Sequence, residues 1–119
     1  MSRQPVSDEM VERDIREVLS WWPTASLLAD LATRRIGFGH EGYGLSYPEG
    51  IDDHDREARG IDVPAGHVDI YGFYGNPDGG FEHIVPETVY LGVLAQVLRE
   101  QELTSEAEAV ERLIPERRL

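Results

Sequence analysis

Few residues in this chain have the type and spacing for covalent or acid–base chemistry. His67-Val68-Asp69 sets an imidazole and a carboxylate on one face of a predicted strand, because alternate strand residues share a face. His83 lies across the predicted hairpin, where it is expected to neighbour them. Such a set can act as general acid and base, or as a two-histidine, one-carboxylate metal site. It carries no ligand spacing of a known metal motif. Asp52-Asp53-His54-Asp55 lacks the alternation and the glycine of a calcium loop. Gly37-Phe38-Gly39-His40-Glu41-Gly42 matches G-x-G-x-x-G, but a dinucleotide site needs its third glycine to lead into a helix. Tyr43-Gly44-Leu45-Ser46-Tyr47-Pro48 follows and does not make that helix. A glycine-rich strand with close backbone approach is the simpler account. The chain has no cysteine, all 11 basic residues are arginine, and no serine sits in a nucleophile elbow. Thiol, Schiff-base and phosphate-loop lysine chemistry are therefore excluded. The expectation is a protein that is not an enzyme and needs no cofactor or metal, with a small enzyme or metal-binding domain on His67, Asp69 and His83 as the alternative.

Charge is more informative. The formal net charge is −12, and residues 41–87 carry eleven acids against two arginines. A field of that sign repels nucleic acid and attracts basic surfaces. Glu41, Glu49, Asp52, Asp53, Asp55, Glu57, Asp62 and Asp69 fall in this stretch, with Tyr43, Tyr47, Tyr71 and Tyr74 interleaved. Carboxylates steer a basic partner, and tyrosines add rigid amphipathic contact area. Glu41, Tyr43, Tyr47, Glu49, Asp52, Asp53, Asp55 and Glu57 are the expected contact residues. Solvated acidic loops with buried tyrosines are the competing account of the same residues.

The elements that must position these residues are legible in part. A length of 119 residues suggests one domain. Hydrophobic content of 40 % is globular, and no apolar run approaches a membrane span. The N-terminus has no apolar segment of a signal peptide, and the lack of cysteine suits the cytoplasm. Ser7 can cap a helix in which Val11, Ile15, Val18 and Trp22 repeat at helical spacing, ended by Pro23. Trp21 and Trp22 point in different directions at its end. Thr24 can cap a second helix through Arg34, with Leu27, Leu28 and Leu31 on one face. A strand is expected from Arg35 to His40, continuing through Tyr43, Leu45 and Tyr47. Pro48 to Gly60 is an acidic loop.

The strongest structural signal runs from Val63 to Leu98. His67 to Tyr74 alternates as a half-buried strand. Asn76-Pro77-Asp78-Gly79-Gly80 is a turn, with Pro77 fixing φ and the glycines accepting positive φ. Phe81 to Val85 returns as a strand, and Pro86 opens a helix bearing Val89, Val93, Leu94, Val97 and Leu98 on one face, widened by Tyr90 and Leu91. A last helix is expected from Thr104 or Ser105, with Ser105 and Glu108 as a capping box, ending at Pro115. The fold class is α+β: two N-terminal helices, a small, mostly antiparallel sheet of three to four strands, and C-terminal helices on the same face.

The segment VPAGHVDIYGFYGNPDGGFEHIVPETVYLGVLAQVLREQELTSEAEAVERL, Val63 to Leu113, resembles small acidic immunity proteins of bacterial polymorphic and contact-dependent toxin systems. That resemblance implies a non-enzymatic inhibitor, made in the same cell as a basic toxin domain, often a nuclease, which it neutralises. On this reading the acidic centre masks the toxin's basic active site, with no direct contact to nucleic acid or membrane.

Overall fold

The computed structural model describes residues 8–20, 25–40, 42–50, 63–72 and 80–117. In chain order the elements are α1 (Asp8–Ser20), α2 (Ala25–Arg34), β1 (Phe38–His40), β2 (Tyr43–Ser46), a 3-10 turn (Pro48–Gly50), β3 (His67–Gly72), β4 (Phe81–Pro86), α3 (Glu87–Glu100) and α4 (Thr104–Arg117). The four strands form one antiparallel sheet in the order β1-β2-β3-β4. The α+β class expected from the sequence is what the chain adopts. Ser7, Trp21, Trp22, Pro23, Thr24 and the Asn76–Gly79 part of the turn lie outside the described residues.

One apolar cluster joins the sheet to all four helices. Val68 and Ile70 of β3, Leu45 of β2 and Val85 of β4 meet Ile15 and Val18 of α1 and Leu91, Leu94 and Leu98 of α3. Strand alternation puts these sheet residues on one face, so α1 and α3 lie on that face. α4 packs chiefly on α3 and α2, making a second helical layer behind the first.

The expected single strand over 35–47 is two strands. His40 pairs with Tyr43, and Gly42 adopts φ 87°, the left-handed backbone that a two-residue hairpin link needs and glycine supplies without strain. Packing also rotates the expected helix faces. α2 buries Leu28, Ala29 and Ala32, while Leu27 stays 47 % exposed. Val89 of α3 is exposed, and the buried stripe runs through Glu87, Tyr90, Leu91, Leu94 and Leu98.

The last helix departs from its expected ends. Leu103 O accepts the first helical bond, from Ala107 N at 2.9 Å, so the cap position precedes Ser105 and the expected capping box does not form. Pro115 sits inside α4. Its missing N–H costs one hydrogen bond. Contacts from Arg117 to Ala32 O, Thr33 O and Glu87 hold the last turn in place beyond it.

α2 and α3 end in the same way. Ile36 N bonds Leu31 O and Arg35 N bonds Ala32 O, and Leu103 N bonds Leu98 O and Glu102 N bonds Arg99 O. Each pair of bonds is a Schellman motif. Its left-handed residue is Arg35 (φ 56°) in one and Glu102 (φ 64°) in the other, rather than the usual glycine.

Candidate functional site

The structure divides the expected His67, Asp69 and His83 set between two faces of the sheet. Asp69 pairs with Ile84, while His83 pairs with Ile70, so His83 shares the helix-facing side with Ile70. His67 and Asp69 lie on the other side with Tyr71. The alternative reading as one catalytic or metal centre therefore loses its third member. A one-residue difference in hairpin register decides this, because strand side chains alternate in period two. His67 Nδ1 donates to Ala65 O at 3.0 Å. Asp69 is fully buried. Among the described residues no three His, Asp or Glu side chains are grouped to hold a metal ion.

The expected contact residues separate as well. Glu41, Asp52, Asp53, Asp55 and Glu57, like Asp62 and Tyr74, lie outside the described residues. Tyr43 is half-buried at one end of β2. Tyr47, beyond the other end, is only 1 % exposed. Its ring belongs to the core, which corrects its expected place on a contact surface. Burial also drives its phenol well above the usual value near 10, with Glu87 adding to the rise. Glu49, on the 3-10 turn, is exposed and pairs with Arg35 at 3.2 Å.

Two polar clusters escape a reading by residue type. The first joins α1 to the sheet. Asp14 is buried, and its Oδ2 accepts a 2.7 Å bond from Nε2 of His83. Among the described residues its Oδ1 takes only a 3.4 Å contact, from Nε of Arg13, whose side chain is 69 % exposed. The His83 ring stacks on Phe81 with centroids 5.8 Å apart. Beside the pair is a cleft of about 340 Å³ lined by Arg13, Asp14, Glu17, Tyr43, Gly72 and Phe81. A Cβ on Gly72 would lie 2.7 Å from the Phe81 ring and 2.8 Å from the Tyr43 ring. The two rings thus converge over a bare Cα.

The second cluster ties the ends of three helices together. Glu87, 1 % exposed, accepts a 2.5 Å bond from Nη1 of Arg117 and lies 3.6 Å from Nε of Arg35. Arg117 also donates to the carbonyls of Ala32 and Thr33 at the end of α2. The Arg35 guanidinium sits 5.5 Å from the Tyr47 ring centroid, within cation–π range. A cleft of about 310 Å³ borders this network.

The sequence did hold a signal for both. Asp14 falls in the stripe Val11, Asp14, Ile15, Val18, and Glu87 in the stripe Glu87, Tyr90, Leu91, Leu94. An acid at an apolar stripe position must be buried with a partner.

Every described arginine stands within ion-pair distance of a carboxylate. Arg13 pairs with Asp14, Arg16 with Glu12 and Glu100, Arg34 with Asp30, Arg99 with Glu111 and Arg112 with Glu108, besides Arg35 and Arg117 at Glu87. Hydrogen bonds from Arg16 and Arg99 hold the Glu100 and Glu111 carboxyls below their ordinary value. Comparison with known proteins adds no identity: no protein family, curated protein or solved structure matches this chain.

Proposed function

We propose that this protein is an immunity protein: a non-enzymatic inhibitor that binds a cognate basic toxin domain, a nuclease, through its acidic central surface. One observation carries this reading. The described arginines are all spent on intramolecular ion pairs, while Glu17, Glu82 and Glu116 take part in no ion pair among the described residues and residues 41–87 hold the bulk of a −12 charge. The arginines are thus engaged rather than held out for phosphate, and the surplus field is negative. Such a field suits a basic protein face that itself reads phosphate. No described helix is long and apolar enough to cross a membrane.

The test is capture from the native host with tagged protein, at low and then moderate salt, followed by mass spectrometry and a nuclease assay of the co-eluting protein. A stoichiometric basic partner whose nuclease activity falls in proportion to added inhibitor supports the reading. Failure to retain any basic partner, or a retained partner with full activity, overturns it.

A further inference from the structure

We infer that the cleft between α1 and the end of the sheet, walled by Asp14, Glu17, Tyr43 and Phe81, receives an arginine side chain of the basic partner. This rests on the inhibitor reading and assigns it an anchor point.

Three features converge. The first is a fixed carboxylate. His83 holds Asp14 through Oδ2 at 2.7 Å, so the orientation of the acid is set before anything binds, and among the described residues its Oδ1 is engaged only by the long 3.4 Å contact from Arg13. Arg13 is itself 69 % exposed and can turn its guanidinium into solvent, so an incoming cation takes its place beside the buried Asp14. The second is spacing. Asp14 and Glu17 are three residues apart on one helix, with Cβ atoms roughly 5–6 Å apart. The forked guanidinium has donors enough to span two such acceptors, which a lysine ammonium does less well. Glu17 is exposed and has no ion pair among the described residues. The third is the aromatic wall. Tyr43 and Phe81 lean together over Gly72, and a planar cation stacks on such rings.

The cleft beside Glu87 is of similar size and is the weaker candidate for a cation. There Glu87 is already engaged by Arg117 at 2.5 Å and approached by Arg35. An entering cation would have to break a buried pair.

The experiment is a backbone-amide NMR titration of the full chain at low salt with the tripeptides Gly-Arg-Gly, Gly-Lys-Gly and Gly-citrulline-Gly. The arginine peptide is expected to give saturable shifts at residues 13–17, 43, 72 and 81. The lysine peptide should bind there more weakly and the neutral citrulline peptide should not bind. Glu17→Gln is expected to weaken the arginine peptide about two- to fivefold. Arg13→Gln, which frees Asp14 Oδ1, should strengthen it by a similar factor. Glu102→Gln, remote from the cleft, should change nothing. Shifts spread over all exposed acids with equal affinity for arginine and lysine, or no saturable shift, would overturn the inference. Once a basic partner is in hand, its affinity separates the two levels. A partner bound equally by wild type, Glu17→Gln and Arg13→Gln removes the arginine anchor and leaves the inhibitor reading standing. Arginine occupancy without any basic partner removes the inhibitor reading instead.

Discussion

Glu87 and Arg117 form a 2.5 Å ion pair in which the acid is 1 % exposed and the arginine 16 %. The asymmetry decides which partner matters more. With Glu87 gone, Arg117 and Arg35 can still turn their guanidinium groups toward water. With Arg117 gone, a buried carboxylate keeps, among the described residues, only Arg35 at 3.6 Å. Breaking a buried pair by removing one partner costs about 3–5 kcal/mol. Arg117→Met is therefore expected near the top of that range and Glu87→Met below it. Urea unfolding, compared at constant slope, measures both. A larger loss for Glu87→Met would overturn this ranking.

The two non-glycine Schellman caps respond in opposite directions. Glu102 sits at φ 64° and forms no ion pair among the described residues. Glu102→Gly should raise stability by about 0.5–1 kcal/mol by relieving left-handed strain. Arg35→Gly relieves the same strain but deletes the contacts to Glu49, Glu87 and the Tyr47 ring, so a net loss is expected. Thermal unfolding of the two variants beside wild type distinguishes them.

What the sequence made legible follows from which interactions are local. The strand pair β3–β4 and helix α3 were readable because alternation, Pro86 and the apolar run after it act within a few residues. The face of His83 was not, because it depends on the register between two strands, where one residue reverses every side chain. Tyr47 looked like a contact residue by type. It lies just past β2, and its burial follows from packing in the core beside Arg35 and Glu87, a tertiary contact that no local pattern encodes. Asp14 and Glu87 were the legible residues passed over: acids inside apolar stripes, whose partners His83 and Arg117 lie 69 and 30 residues away.

Glycines in the sheet act as seats for aromatic rings. A Cβ on Gly44 would lie 2.5 Å from the backbone oxygen of Phe38 and 2.5 Å from the Tyr71 hydroxyl. The first is backbone and cannot swing aside. Gly44→Ala is expected to cost at least 1–3 kcal/mol, as overpacking does. Gly50→Ala, which meets nothing within 4 Å, should fall within about 0.5 kcal/mol of wild type. Equal stabilities for the two variants would show that β1 shifts freely away from β2.

Stability should fall at both ends of the pH scale, for different reasons. Burial raises the Tyr47 and Tyr90 phenols above 10. The unfolded chain then releases those protons first, so their contribution is whole below pH 10 and is lost as pH rises beyond it. Glu100 and Glu111 are lowered from 4.5 by hydrogen bonds from Arg16 and Arg99. The unfolded chain takes up those protons first, so their contribution is whole above the unfolded value and is lost as pH falls through the lower folded one. Absorbance at the phenolate band should show two of the five tyrosines ionising only on unfolding. Arg99→Gln should flatten the acid limb and leave the alkaline limb unchanged.

The acidic run Asp52, Asp53, Asp55 and Glu57 lies outside the described residues and bears on the rate of partner capture. Complementary charge acts mainly on association, and its effect shrinks as salt screens it. Reversing these four acids to arginine shifts the net charge of the chain from −12 toward neutrality at the place where it is densest. Association with the basic partner should slow by about ten- to a hundredfold at low salt, within the range that electrostatic steering spans. The plot of association rate against ionic strength should flatten. Dissociation should change less than association, because steering acts before contact. Stopped-flow association across a salt series reads all three quantities. Rates and salt slopes equal to those of wild type would remove these four residues from the interface and leave the cleft at Asp14 and Glu17 as the place to look for the charge that steers.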